Sequence, residues 1–274
     1  MSFPYLTDVL HALGINLPLP VPTFGLMVGV AFFTGKWLCG VEARRLMPQM
    51  PEDFMSNACM TGFIAGIVGA RLFHLLEYPR DFLAHPADML LSRSGFTIFG
   101  GLIAGTLAAA WYARRKQAPL APMLDAAAPA LILSYGIGRI GCQISGDGDW
   151  GIAVSRAPPA WLPHWLWAQT YDGNIAGVVI PPPGVYPTPI YETLMSLAAF
   201  ALLWRLRKHA HAAGWLFGVY LLLAGVERFL IELIRVNTTY TLFGTQVTQA
   251  QIIAVSCVLA GVLVTWRRAT PQPA

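Results

Sequence analysis

Seven stretches of about 20 mostly apolar residues recur along this 274-residue chain, and about 20 is the length a helix needs to cross a bilayer. They run roughly from 20 to 41, 55 to 77, 96 to 113, 122 to 142, 188 to 206, 214 to 234 and 248 to 266. Hydrocarbon offers backbone N–H and C=O groups no partner, so such runs have to close their hydrogen bonds internally as helices. The expected fold is an all-α integral membrane protein with about seven transmembrane helices. Composition agrees: 55% of residues are hydrophobic and 12% charged, against about 25% charged in soluble domains. That balance argues against a soluble enzyme, and it excludes disorder, which needs low hydrophobicity with high net charge. The first run lacks a preceding basic segment and a small-residue cleavage site, so it reads as a retained helix rather than a signal peptide.

The formal charge of +4 is a topological signal in such a chain, because Lys and Arg collect on cytoplasmic loops. Sorting the 18 basic residues gives ten on one side: Arg44, Arg45, Arg114, Arg115, Lys116, Arg205, Arg207, Lys208, Arg267 and Arg268. Four lie on the other side, Arg80, Arg93, Arg156 and Arg235, and four lie inside spans, Lys36, Arg71, Arg139 and Arg228. This puts the C-terminus in the cytoplasm and the N-terminus outside, and the segment from Met1 to Pro20 holds no Lys or Arg. The chain reads as one transmembrane domain over 1–274 with an extracytoplasmic loop or head at about 143–187, rich in Pro, Gly and Trp. That loop either contacts substrate or floats Trp161, Trp165 and Trp167 at headgroup level. No internal repeat is visible, which argues against a transporter of duplicated halves.

Charges inside spans carry the functional information. An Arg or Asp at the centre of a span costs about 2.5–3.5 kcal/mol on insertion scales, so one that stays there needs a partner or a function. Arg71 lies in GARLFH, Arg139 in YGIGRIGC, Arg228 and Glu232 four apart in GVERFLIEL, and Glu192 in YPTPIYET. Arg228 and Glu232 share a helical face and can hold helices together. Three arginines with few acids also suggest an unbalanced positive pocket, and arginine is suited to bidentate capture of phosphate. The phosphate most available in a bilayer is a phospholipid headgroup, so a site for an anionic lipid is expected. Lys36 is expected to snorkel to the interface.

The glycine runs FGGLIAG, with Gly100 and Gly101, and GIGRIG serve close helix packing in many membrane proteins. The second continues into SGDGDWG, where a glycine-rich turn offers the carboxylates of Asp147 and Asp149 at the outward face. Too few further ligands follow for a calcium loop. The cysteines Cys39, Cys59, Cys142 and Cys257 have no CxxC spacing, so neither metal site, cofactor nor disulfide framework is expected. His74, three residues after Arg71, reads as a core histidine, a polar partner or a proton acceptor.

The ordered set FGLMVG at 24–29, GARLFH at 69–74, FGGLIAG at 99–105, GRIGCQISGDGDWG at 138–151, PTPIYE at 187–192 and ERFLIELIR at 227–235 resembles the prolipoprotein diacylglyceryl transferases of the bacterial inner membrane. The resemblance covers residues of about 20 to 266. It implies a multi-pass protein of seven spans with its N-terminus outward. It also implies transfer of the diacylglyceryl group of phosphatidylglycerol to the lipobox cysteine thiol of a prolipoprotein, the first step of lipoprotein maturation, with release of glycerol phosphate. The partners implied are phosphatidylglycerol or a related anionic phospholipid and the prolipoprotein, with no nucleic acid. Arg139 and Arg228 would hold the phosphate and neutralise its departing charge, and Glu232 would orient Arg228. Arg71, Gly100, Gly101, Tyr191 and Glu192 would complete the lipid site.

The sequence departs from the family's pattern at the proton-handling positions. Phe99 stands where the resemblance places a histidine before the GG pair, Cys142 and Ser145 stand in place of two asparagines, and Phe24 in place of a tyrosine. The acidic loop carries one extra residue. The thiolate is the reactive form of a thiol, so a base is required. Asp147 and Asp149 are the first candidates, with His74 and Glu232 behind them. The alternative expectation is a family paralogue that gives the lipid to a different acceptor, or a lipid-binding protein without catalysis. Cys142 reads as a nucleophile or, equally, as a small apolar residue beside packed glycines.

Overall fold

The apolar runs fold as expected into long helices in the computed structural model, which describes residues 2–91, 95–208, 210–242 and 245–269. Arg93, one of the four expected outward basic residues, and His209 lie outside these. In chain order the helices are α1 (Leu6–Ala12), α2 (Thr23–Leu46), α3 (Phe54–Glu77), α4 (Pro79–Ala84), α5 (Pro86–Leu91), α6 (Ile98–Arg115) and α7 (Leu120–Ser145). They continue as α8 (His164–Trp167), α9 (Thr188–Leu206), α10 (Trp215–Glu232) and α11 (Gln249–Arg267). By length and composition, α2, α3, α7 and α11 can each cross a membrane.

The all-α expectation needs one small correction. Before α11 the chain makes an antiparallel hairpin of β1 (Thr239–Leu242) and β2 (Thr245–Thr248), with Thr239 opposite Thr248 and Tyr240 opposite Val247. Its threonines, Tyr240 and Val247 are residue types that favour strands. The hairpin ends on the cap of α11, where Thr248 Oγ1 accepts from Gln251 N at 3.2 Å and Gln251 Oε1 accepts from Thr248 N at 3.0 Å.

Contacts divide the chain into two units, Met1–Leu38 with Ala127–Ala274, and Cys39–Ala126. In both, the usual distribution of polarity is inverted. Leu102, Leu107 and Leu259 are each 64% exposed, whereas Glu42, Asp125, Glu192, Ser196, Glu227 and Glu232 are buried. Apolar atoms outside and acids inside suit a hydrocarbon solvent, in which a hydrophobic surface costs nothing and a charge has to be paired.

In the larger unit, Ala128 and Ile132 of α7, Ala199 and Leu203 of α9 and Leu216 of α10 form one buried cluster. Ser134 Oγ donates to Ala31 O at 2.9 Å and ties α7 to α2. Helices α10 and α11 approach through glycine: a Cβ at Gly225 would fall 2.7 Å from Ala254 O, and one at Gly261 would fall 2.8 Å from Gly218 O. The long segment after α7 packs around Tyr171, Ile180 and Val185, with Trp150 against them.

In the smaller unit α3 packs on α6. Gly62, Gly66 and Gly69 face Gly105, Gly101 and Gly100, so that a Cβ at Gly69 would fall 2.7 Å from Gly100 O and one at Gly100 would fall 2.6 Å from Gly69 O. Gly100 and Gly101 are therefore occupied in bringing two backbones together. Arg71 Nη1 donates to Gly95 O at 2.8 Å, its guanidinium lies 5.1 Å from the Phe96 ring centre, and Thr97 Oγ1 donates to Glu77 Oε2 at 2.8 Å. These bonds fix the approach to α6. Overpacking a tight contact costs about 1–3 kcal/mol, so Gly69→Val and Gly100→Val should each lower unfolding stability in detergent by about that much. Gly29→Ala, with nothing within 4 Å of the new methyl group, should be neutral or stabilising.

Candidate active site

Glu192, fully buried near the start of α9, gathers the charged groups of the larger unit. Its Oε1 accepts from Tyr135 Oη at 2.5 Å. The same oxygen lies 3.4 Å from Arg139 Nε, 3.8 Å from Arg228 Nη1 and 3.8 Å from Arg235 Nη1. Three helices meet here: α7 supplies Tyr135 and Arg139 one turn apart, α9 supplies Glu192, and α10 with the residues after it supplies Arg228, Glu232 and Arg235. The approach of α7 to α9 depends on Gly136, where a Cβ would fall 2.9 Å from Ser196 Cβ.

Each guanidinium has a second partner. Arg228 Nη2 pairs with Glu232 Oε2 at 2.7 Å, and Glu232 Oε1 accepts from Asn237 Nδ2 at 2.6 Å. The Arg139 guanidinium lies 4.9 Å from the Tyr135 ring centre. Arg139 Nη1 and Arg235 Nη2 both donate to Asp149, one to each carboxylate oxygen, the second at 2.5 Å. Burial alone would raise the Asp149 pKa, but the Arg139 and Arg235 guanidiniums outweigh it and hold the carboxyl below the ordinary carboxylate range. Three guanidiniums thus face three carboxylates, Asp149, Glu192 and Glu232. This corrects the expectation of a positive pocket of three arginines with few acids: Arg71 belongs to the smaller unit, and Asp149 joins Glu192 and Glu232 in balancing the arginines that are here. Glu192 Oε2 is buried with no hydrogen-bond partner among the described residues.

The acidic loop is pinned to the site from both ends. Thr188 Oγ1 donates to Asp149 O at 2.7 Å, Ile152 N donates to Ile234 O at 2.8 Å, and a Cβ at Gly151 would fall 2.7 Å from Ile234 O. Asp147 Oδ1 accepts from Asp149 N at 3.2 Å. Cys142, buried on α7, has its Sγ 3.7 Å from Arg139 Nη1 and 4.0 Å from Asp149 Oδ2. The ligand atoms of Cys142, Asp147 and Asp149 lie within 4.8 Å of one another. Two guanidiniums already neutralise Asp149, which makes this a poor cradle for a further cation. Ser145 Oγ donates to Gly141 O at 2.9 Å, within its own helix.

Among the residues expected from sequence, Arg139, Arg228, Glu192, Glu232 and Asp149 come together here, with Asp147 beside them. Tyr191 points elsewhere, its hydroxyl donating to Leu166 O at 2.5 Å. Arg71, Gly100, Gly101, His74 and Phe99 belong to the other unit. Arg235, Tyr135 and Asn237 were not expected. The signal for two of them was present: Arg235 follows Arg228 and Glu232 at seven and three residues, and Tyr135 precedes Arg139 by four.

A helical membrane protein with an arginine–carboxylate cluster at its polar centre is the class these features define. The chain belongs to the prolipoprotein diacylglyceryl transferase family, whose model matches residues 11–267. It is 30% identical to the phosphatidylglycerol–prolipoprotein diacylglyceryl transferase of Xylella fastidiosa (strain 9a5c), over 91% of this chain and 89% of that one. It is 28% identical to the protein of the same name from Corynebacterium glutamicum (strain ATCC 13032), over 93% and 83%. To the one from Clostridium tetani (strain Massachusetts / E88) it is 27% identical, over 78% and 80%.

Removing one partner of a buried ion pair costs about 3–5 kcal/mol, because the other charge is left uncompensated. Glu192→Ala should therefore lower the unfolding free energy in detergent by about that amount. Glu192→Gln can still accept from Tyr135, so it should cost measurably less. Equal losses from the two substitutions would show that the shared carboxylate is not what holds the three helices.

Proposed function

We propose that this chain transfers the diacylglyceryl group of phosphatidylglycerol to the cysteine thiol of a prolipoprotein. The names of its relatives support the reaction, and one observation carries the site: two guanidiniums, Arg139 and Arg235, converge on one oxyanion, the Asp149 carboxylate. A phosphate diester offers them two oxygens of the same kind. Arg139, Arg228 and Arg235 hold the phosphate, and Glu232 keeps Arg228 in place. The acceptor sulfur attacks the glyceryl carbon that bears the phosphate. The S–C bond forms, the C–O bond breaks with its electron pair left on the phosphate, and the guanidiniums stabilise the charge that appears there. The thiol proton goes to a carboxylate. Asp147 suits this role better than Asp149, since no guanidinium contacts it among the described residues.

The chain works as a single domain of seven spans in the bacterial inner membrane, with its N-terminus and residues 143–187 outside and its C-terminus in the cytoplasm. The basic residues support this orientation. So do the bonds of Ser2 N to Asp172 O at 2.7 Å and Phe3 N to Ile144 O at 2.6 Å, which tie the N-terminus to the segment after α7 and to the end of α7. Phe99, which has no proton-accepting atom, favours a second reading: the same donor site serving a different acceptor, or a lipid-binding protein without catalysis.

Purified protein given phosphatidylglycerol and a lipobox peptide should yield a thioether-linked diacylglyceryl peptide by mass spectrometry. Arg139→Ala should lower kcat/KM by about 10²–10³-fold, the scale of losing one transition-state donor. A wild-type protein that binds the lipid and yields no thioether with any lipobox peptide would leave the second reading in its place.

A further inference from the structure

The three carboxylates of the cluster differ in their freedom to leave it. The side chains of Glu192 and Glu232 are fully buried, whereas that of Asp149 is 33% exposed. Its loop starts with Gly146 and Gly148 at φ of +62° and +101°, a conformation that favours glycine. A Cβ at Gly148 would meet only Ala176, at 3.9 Å. The Asp149 backbone is held through the Thr188 hydroxyl, a bond that does not involve its carboxylate. The side chain can therefore rotate away while the loop stays in place.

We propose that Asp149 competes with phosphate for the Arg139 and Arg235 guanidiniums, and thereby sets how tightly the site holds its donor and how fast it frees its product. A diester carries one negative charge, so exchanging it for the Asp149 carboxylate leaves the balance of the cluster unchanged. The released phosphate monoester carries about 1.5–2 negative charges at neutral pH, and three arginines would retain it more firmly than the donor. The returning carboxylate opposes that retention. The product step rests on the transferase reading given above; the competition for phosphate does not.

The test is equilibrium binding of glycerol 3-phosphate to the full chain in detergent, by titration calorimetry. Asp149→Asn keeps size and backbone bond and removes the competing charge, so affinity should rise roughly tenfold or more, the scale of one charge-assisted hydrogen bond. Asp149→Glu should stay near wild type. Asp172→Asn, which removes an equal charge from an exposed position in the same segment, should also leave affinity unchanged and so separates competition from long-range attraction. In the transferase assay, Asp149→Asn should lower kcat and KM together and produce a burst of thioether equal to the enzyme concentration. Unchanged or weaker glycerol phosphate binding by folded Asp149→Asn, checked by its thermal midpoint, overturns the proposal, as does equal tightening by Asp172→Asn. Tightening in a protein whose wild type makes no thioether supports the competition and counts against the transferase reading.

Discussion

A carboxylate without access to water, shared among three guanidiniums, is the constraint from which the arrangement of the larger unit follows. Glu192 can remain ionised in a buried interior only while cations surround it, and the arginines can remain there only while acids answer them. That mutual need fixes α7, α9 and α10 relative to one another within the unit, because each supplies charges that the others complete. Tyr135 serves two members at once, with its hydroxyl on Glu192 and its ring beneath Arg139. The small residues around it follow from the same demand. Gly136 lies against Ser196, one turn along α9 from Glu192, so the two helices come close enough for short ion-pair distances.

How much of this is legible in the sequence depends on whether the signal is local. The apolar runs are local, and every one of the seven is a helix within a few residues of its expected bounds. The Arg228–Glu232 pair is local too, since four-residue spacing on a helix places the groups side by side. Arg235 reads from the sequence as a residue of an outward loop because it stands just past the apolar run. Its partners, Asp149 and Glu192, lie 86 and 43 positions away in the chain, and no window contains them together. Tyr135 reads as one more large residue in an apolar helix until Glu192 arrives from α9. Gly100 and Gly101 read from the sequence as lining a lipid site or joining two helices, and the opposing glycines of α3, distant in the chain, are what show the packing.

The two glycine-lined contacts, α3 with α6 and α10 with α11, solve a problem different from that of the ion cluster. In hydrocarbon, apolar side chains gain little by leaving the lipid, so helix association has to come from close backbone approach and from polar groups. The smaller unit uses backbone approach, reinforced where Arg71 and Thr97 tie the segment before α6 to α3. The larger unit uses both devices, with glycines on α10 and α11 and charges on α7, α9 and α10. The inverted surface, leucines outward and glutamates inward, accompanies both.

Charge balance also decides what kind of binding site the cluster can be. An unanswered trio of arginines would attract phosphate strongly, but at about 2.5–3.5 kcal/mol for each uncompensated charge the helices would have to bear a load comparable with the whole stability of many domains. Matching each guanidinium with a carboxylate removes that load and lets the site form before any ligand arrives. A phosphate would therefore have to enter by exchange, taking over guanidinium hydrogens already engaged, so its net affinity would be a difference between two ion pairs rather than the full strength of one. Two of the acids are fully buried, and the third, Asp149 beside the glycine turn, is the one that is partly exposed. A site built this way has its charges paired before any ligand arrives, and an anion would bind it only by the difference between the two pairings.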